Sequence, residues 1–184
     1  MLLRRVFSRQ GRALHSILVG HPQASQLPAL LSAHYILTAY APLTKGDSIM
    51  HVGAAETPTP TPSPTPGPSM TEAIARVAEA LGLQVVSAPD KARKFKLCIT
   101  CRSIAALDCA RSLQPGGVLV VYNGPPEGID KVVGVAVPVS SAIFQGTKVC
   151  GFDIAGMDQG AHGRSLQAVL GMMEKGTLKL RPPK

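Results

Sequence analysis

The stretch from Thr57 to Pro68, TPTPTPSPTPGP, has a proline at every second position. Proline fixes φ and carries no amide hydrogen, so this run enters neither a helix interior nor a central strand. Its composition predicts an extended polyproline II spacer that buries no core. Whatever the chain folds into must be assembled from the two flanks. On one side SIMHV, Ser48–Val52, reads as a short buried strand. On the other, Ser69 is placed as an N-cap with Glu72 completing a capping box. The stripe Ile74, Val77, Ala78 and Leu81 predicts a helix over 70–81, ended by Gly82. The flanks therefore form a βα unit whose connecting turn is made of prolines.

The same alternation runs through the rest of the chain. QLPALLSAHYILTAYA, Gln26–Ala41, predicts a helix, with Pro28 tolerated near its start and Pro42 at its end. LQVVS and FKLCIT read as the second and third strands. Ser103 is expected to cap a helix over 104–113, QPGG to form a turn, and the wholly apolar VLVVY to be a parallel strand covered on both faces. A short helix over 137–145, a strand over 148–154, a helix over 163–175 and a strand stub at TLKL complete the reading. The expected fold class is α/β, Rossmann-like, with a mostly parallel sheet and helices on both faces. At 184 residues, 45% hydrophobic and 16% charged, the chain is long enough for one domain with a buried core over 27–184. Its longest apolar stretch, Ile129–Phe144, is too short and too interrupted for a membrane span.

The first 20 residues differ from the body. Arg4, Arg5, Arg9 and Arg12 stand among Ser8, Ser16, Leu2, Leu3, Val6 and Phe7, and no acid occurs before Asp47. This predicts a mitochondrial presequence, and hence a matrix location, with a basic tail as the plainer alternative. The net charge is +8, and without those four arginines the body carries 15 basic and 11 acidic residues. Such a body is compatible with RNA or anionic lipid without requiring either. Aromatics total 4%, so base stacking is not the expected mode of any RNA contact.

Cys98 and Cys101 form a CxxC, but Cys109 and Cys150 are not spaced as a second zinc pair. Residues three apart on a strand point to opposite faces, so the cysteines read as small buried thiols, with no metal site expected. His51, ending a buried strand, reads as a satisfied core residue. His162 and Asp158 are expected in a Gly-rich loop without a serine partner.

Four blocks, LPALLSAHYILTAYAPLTKGDSIMH, AIARVAEALGLQVV, LQPGGVLVVYNG and SSAIFQGTKVCGFDI, occur in one order between Leu27 and Lys184. Together the set resembles the cofactor domain of medium-chain dehydrogenase/reductases, and most closely that of mitochondrial enoyl thioester reductases. The resemblance implies NADPH-dependent reduction of a 2-enoyl thioester in a cleft between two domains. It also implies that Tyr122, Asn123 and Gly124 stand at a cofactor-facing turn, and that Phe152, Asp153 and Ile154 flank the nicotinamide.

Three departures weigh against that activity. The family's catalytic domain and final segment have no counterpart in these blocks, and Tyr35 and Tyr40, in the first helix, do not match the family's catalytic tyrosine. The loop HVGAAETPTP offers prolines and Glu56 where diphosphate recognition needs glycine amides. The segment between LQVV and FKLCIT is cut to about eight residues, and Lys91, Arg93 and Lys94 within it read either as a solvated basic turn or as a 2′-phosphate mimic. The resulting expectation is a non-catalytic structural subunit of a mitochondrial protein assembly, the mitochondrial ribosome foremost, with protein partners, rRNA contacts through basic residues and no cofactor. Its six site residues would be vestigial and no catalytic residue is assigned. The alternative is an NADPH-dependent enoyl reductase fragment or partner chain, or a dimer with a full-length reductase through the edge strand at 148–154.

Overall fold

The computed structural model describes residues 26–53, 69–89, 92–101, 103–122, 145–153 and 157–179, and within these the side chains of Ser103 and Ile104 are excepted. The presequence expected over 1–20, the spacer at 57–68, Asn123, Gly124 and Ile154 lie outside them. So does the short helix expected over 137–145, apart from Gln145.

Among the described residues nine elements follow in chain order: α1 Leu27–Ala39, β1 Ser48–Val52, α2 Met70–Ala80, β2 Gln84–Val86, β3 Phe95–Thr100, α3 Ser103–Arg111, β4 Leu113–Tyr122, β5 Lys148–Phe152 and α4 Gln159–Glu174. All strand pairs are parallel, and the sheet order is β2-β1-β3-β4-β5. The chain moves outward one way from β1 to β2 and then the other way to β3, so the switch point lies between the C-terminal ends of β1 and β3. This is the Rossmann-like arrangement the alternation predicted.

Pleating divides the strand residues between two cores. Ile49, Leu97, Ile99, Val118, Val120, Tyr122 and Phe152 face α1, α2 and α4, meeting Leu30, Ile36, Leu37, Ile74, Val77 and Val169. Met50, Cys98 and Leu119 face the other way, against Ala106, Cys109 and Ala110 of α3. Helices thus cover both faces, three on one and one on the other among the described residues. The CxxC obeys the strand rule: Cys98 lies in the α3 core while Cys101 packs against the larger one.

Helix starts follow local chemistry. Ser69 Oγ accepts the Glu72 amide at 3.2 Å, the N-cap the sequence placed there. Asp158 Oδ1 accepts the Ala161 amide at 2.7 Å, so α4 begins four residues earlier than expected and His162 is helical, not in a loop. Ser103 is the first residue of α3 rather than its cap, and the helix stops at Arg111 because Leu113 is already strand. QPGG is not a free turn. Leu113 pairs with Phe95 and Val118 with Leu97, so 114–117 bulge out inside β4 opposite the single residue Lys96. Pro115 has no amide for the ladder, and Gly116, at φ 74°, takes a backbone shape that only glycine adopts cheaply. The TLKL strand stub is corrected too. The Thr177 and Leu178 amides fold back on the Met172 carbonyl, closing α4 instead of extending the sheet.

Candidate functional site

Ligands of open parallel sheets sit outside the C-terminal ends of the strands at the switch point. Here that edge is built from Val52 and Gly53 after β1, Thr100 and Cys101 after β3, Tyr122 ending β4, and the first turn of α2. Thr100 Oγ1 donates to the Val52 carbonyl at 3.0 Å, tying the two switch-point strands together. Gly53 is wedged under α2: a Cβ there would run into Thr71 Oγ1 and lie 3.3 Å from the His51 ring.

Tyr122 fills the space these elements leave. Its phenol oxygen lies 3.0 Å from His51 Nε2, the two rings stack with centroids 5.9 Å apart, and both residues are buried, at 4% and 2% exposure. The Thr71 hydroxyl and the Cys101 thiol also reach the phenol oxygen. Burial, and then Cys101, push the Tyr122 phenol well above its ordinary range. Burial alone lowers His51 to about 4, so at neutral pH the ring is uncharged. A neutral imidazole paired with a neutral phenol is a satisfied core contact, as the sequence reading of His51 had it.

The first turn of α2 is equally occupied. Ser69 takes the Glu72 amide, the Ser69 carbonyl takes the Ala73 amide, and the Glu72 carboxylate lies 3.7 Å from Arg76. A helix N-terminus attracts one anion, and here a carboxylate stands in its first turn.

Of the six residues singled out by resemblance, three are described and converge. Tyr122, Phe152 and Asp153 line one cleft of about 190 Å³ with Pro28, Ala29, Ser32 and Met70. Phe152 and Asp153 also line a wider opening of about 400 Å³ with Tyr35, Tyr40 and Met157. Tyr35 lies 5.7 Å from the Phe152 ring and meets Tyr40 edge-on at 5.8 Å. Arg93 and Lys94 lie elsewhere. They immediately precede β3, at the opposite edge of the sheet, and Lys94 Nζ donates to the Arg111 carbonyl at 2.7 Å. They are a solvated basic turn, and that position removes them from the ribose end of a switch-point crevice.

What sequence reasoning missed is the pairing of His51 with Tyr122. A tyrosine ending an apolar strand, and a histidine ending another, each demanded a buried polar partner. Nothing local said that they would be each other's. Among the described residues, no three His, Cys, Asp or Glu side chains converge as a metal site, and no helix is long and apolar enough to cross a membrane.

Fold and topology together define a Rossmann-like α/β domain. Its likeness to solved structures is more particular. It superposes on the Etr1p/NADP/crotonyl-CoA complex with TM-score 0.62 at 16% identity, over 87% of this chain and 52% of that one. The mitochondrial 2-enoyl thioester reductase Etr1p/Etr2p heterodimer from Candida tropicalis gives 0.61 at 16% identity, over 84% and 50%. The CurK enoyl reductase gives 0.61 at 15% identity, over 88% and 54%. The chain spans about half the length of the chains in these structures. Neither the protein-family models nor the curated proteins give a match.

Proposed function

We propose that this chain is a non-catalytic structural subunit of a mitochondrial multi-protein assembly, built on the cofactor fold of an enoyl reductase. The observation that carries the reading is the buried Tyr122–His51 contact at the switch point, 3.0 Å long and surrounded by Thr71 and Cys101. A dinucleotide needs free amides and room at this edge. In support, a phenol fills the space between His51, Thr71 and Cys101, a Cβ at Gly53 would meet Thr71 Oγ1, and Glu72 sets a carboxylate in the first turn of α2. On this reading the edge no longer takes a dinucleotide. The solved relatives whose names include NADP are relatives in fold.

The mitochondrial setting rests on the arginine-rich first 20 residues, and the mitochondrial ribosome is the host best suited to a basic body. Affinity purification of the tagged full chain from mitochondria, followed by mass spectrometry and gradient sedimentation, tests this. Recovery with ribosomal subunits is expected. Recovery with metabolic enzymes alone, or saturable micromolar binding of NADPH, would overturn it.

A second reading, pairing with a reductase chain, is favoured by one feature. Among the described strands β5 lies at the edge, and Val149 on it is 46% exposed, a large apolar side chain beside backbone that no described strand pairs. The Etr1p/Etr2p heterodimer is an assembly of two such chains by its name. Light-scattering mass measurement of the chain with and without a full-length reductase discriminates. If this reading holds, a complex forms and Val149→Lys abolishes it, while a monomer indifferent to the reductase excludes it.

A further inference from the structure

In an all-parallel sheet every strand begins at the same edge. Here cations stand at or near the starts of four of the five described strands, β2 being the exception. Lys45 lies in the turn before β1, Arg93 and Lys94 directly before β3, Lys96 in its second position, Arg111 two residues before β4, and Lys148 is the first residue of β5. Five of these six are exposed, and Lys96 is half-buried. Lys45, Arg93, Arg111 and Lys148 make no ion pair among the described residues. Lys96 is spoken for by Asp47, 2.8 Å away, and Lys94 is held by the Arg111 carbonyl without losing its charge. The acids at this edge are Asp47, Asp108 in α3, and Glu79 and Glu174 in the last turns of α2 and α4, the latter followed by Lys175. At the C-terminal edge the balance reverses among the described residues, where Glu72, Asp153 and Asp158 outnumber Arg76 and Arg164. Composition alone shows none of this asymmetry. It arises because parallel pairing gathers residues scattered over a hundred positions onto one side.

A cleft of about 200 Å³ opens in this edge between Lys96 and Lys148, floored by the bulged Gln114, Gly116 and Gly117. The absence of a side chain at exposed Gly116, where a Cβ would meet only open space, lets a bulky anion approach the backbone there. Lys148 in the cleft, and Arg111 and Lys94 on the same edge, supply charge that no ion pair among the described residues cancels.

We propose that this N-terminal edge is a polyanion-binding face that takes the phosphate backbone of RNA, centred on the Lys148 cleft and flanked by Arg111, Lys94, Arg93 and Lys45. RNA is favoured over an anionic membrane by what surrounds the cations. A membrane-surface site sets several large apolar residues beside its lysines for insertion, whereas among the described residues one large apolar side chain is exposed, Val149 next to Lys148, and the exposed neighbours of the other cations are Pro115, Gly116 and Thr44. The scarcity of aromatics makes the contact one of charge and not of base stacking. This deepens the ribosomal reading and rests on it for the biological source of the RNA, but the face itself stands on charge and topology.

The test is fluorescence anisotropy of the full chain with a labelled single-stranded RNA of mixed sequence, over a salt series. Four neutralised phosphates predict a slope of log K against log salt of about −3. The double variant Lys148→Gln/Arg111→Gln should flatten that slope by about 1.4 and cost about tenfold in affinity near physiological salt. A second pair, Lys45→Gln/Arg93→Gln, should do likewise, and Arg164→Gln on the other edge should do neither. All variants keep the arginine-rich N-terminus, so differences between them report the edge. Equal slopes in every variant would overturn the proposal, as would edge-dependent binding to phosphatidylcholine/phosphatidylserine vesicles with none to RNA. Loss of RNA binding while the chain still co-purifies with ribosomal subunits sinks this inference alone. Edge-dependent RNA binding by a chain that co-purifies with no assembly sinks the proposed function and leaves the face standing.

Discussion

His51 Nε2 and Tyr122 Oη lie 3.0 Å apart across 71 residues of sequence, joining the end of β1 to the end of β4 over the strand between them. The contact buries an imidazole against a phenol at the edge where this fold class places its ligand crevice.

Removing the phenol oxygen tests that role. Tyr122→Phe leaves the ring packed but deprives the buried imidazole nitrogen of its partner. We expect a loss of about 1–3 kcal/mol in urea denaturation, with an unchanged denaturant slope. The variant should still gain no thermal stability from NADPH, because Gly53 and Glu72 remain where they are. By comparison, a ligand at a hundred times its Kd would add about 2.7 kcal/mol. A neutral effect on stability would show that the contact is incidental.

The same pair sets a pH dependence. The unfolded chain protonates His51 as pH falls through its ordinary 6.5, whereas the folded chain resists until about 4. The unfolded state therefore binds more protons in that window. Stability is fully present above 6.5 and declines toward pH 4, by about 3 kcal/mol from this residue. His34, also lowered by burial, acts in the same direction. Chemical denaturation at half-unit pH steps should show the decline, and His51→Gln should flatten most of it. A profile unchanged by that substitution refutes the assignment.

Gly53→Ala probes the approach of β1 to α2. The added methyl would collide with Thr71 Oγ1. Since backbone and helix are both packed, we expect about 1–3 kcal/mol of destabilisation. The double change Gly53→Ala/Thr71→Ala should recover part of it, read as a melting-temperature difference. Failure of the second substitution to help would place the strain elsewhere.

The four thiols should divide by burial. Burial pushes Cys98 far above the usual thiol range and Cys109 up to about 12, while Cys101 and Cys150 are half-buried. Reaction of the native chain with a disulfide reagent at pH 8 should modify Cys101 and Cys150 well before Cys98 and Cys109, which should react at the rate of global unfolding. Rapid labelling of Cys98 under native conditions would contradict its position beneath α3.

Much of the fold was legible before any coordinates. β1 spans the residues read from SIMHV, β3 those of FKLCIT, and α2 starts at the cap read from Ser69. These are local signals: pleat period, helix period and a side chain that can satisfy an amide three residues on. Legibility failed where a local signal was ambiguous. QPGG looks like a turn and is chemically one, but whether a turn separates elements or bulges within a strand depends on the partner β3, which resumes its pairing at Leu97. Asp158 is as good a cap as Ser69, yet Gly160 and Gly163 hid the helix behind it, because packing on α1 outweighs their weak propensity.

The sequence by itself determined the α/β class, the order of the elements and which strand residues face which way, since each follows from neighbours within a few positions. Only the tertiary structure decided that β1 lies between β2 and β3, that His51 meets Tyr122, and that Lys45, Lys94, Arg111 and Lys148 share an edge. Those relations join residues far apart along the chain. They depend on strand order and register, which are fixed by the packing of the whole sheet between its helices and are written in no single stretch.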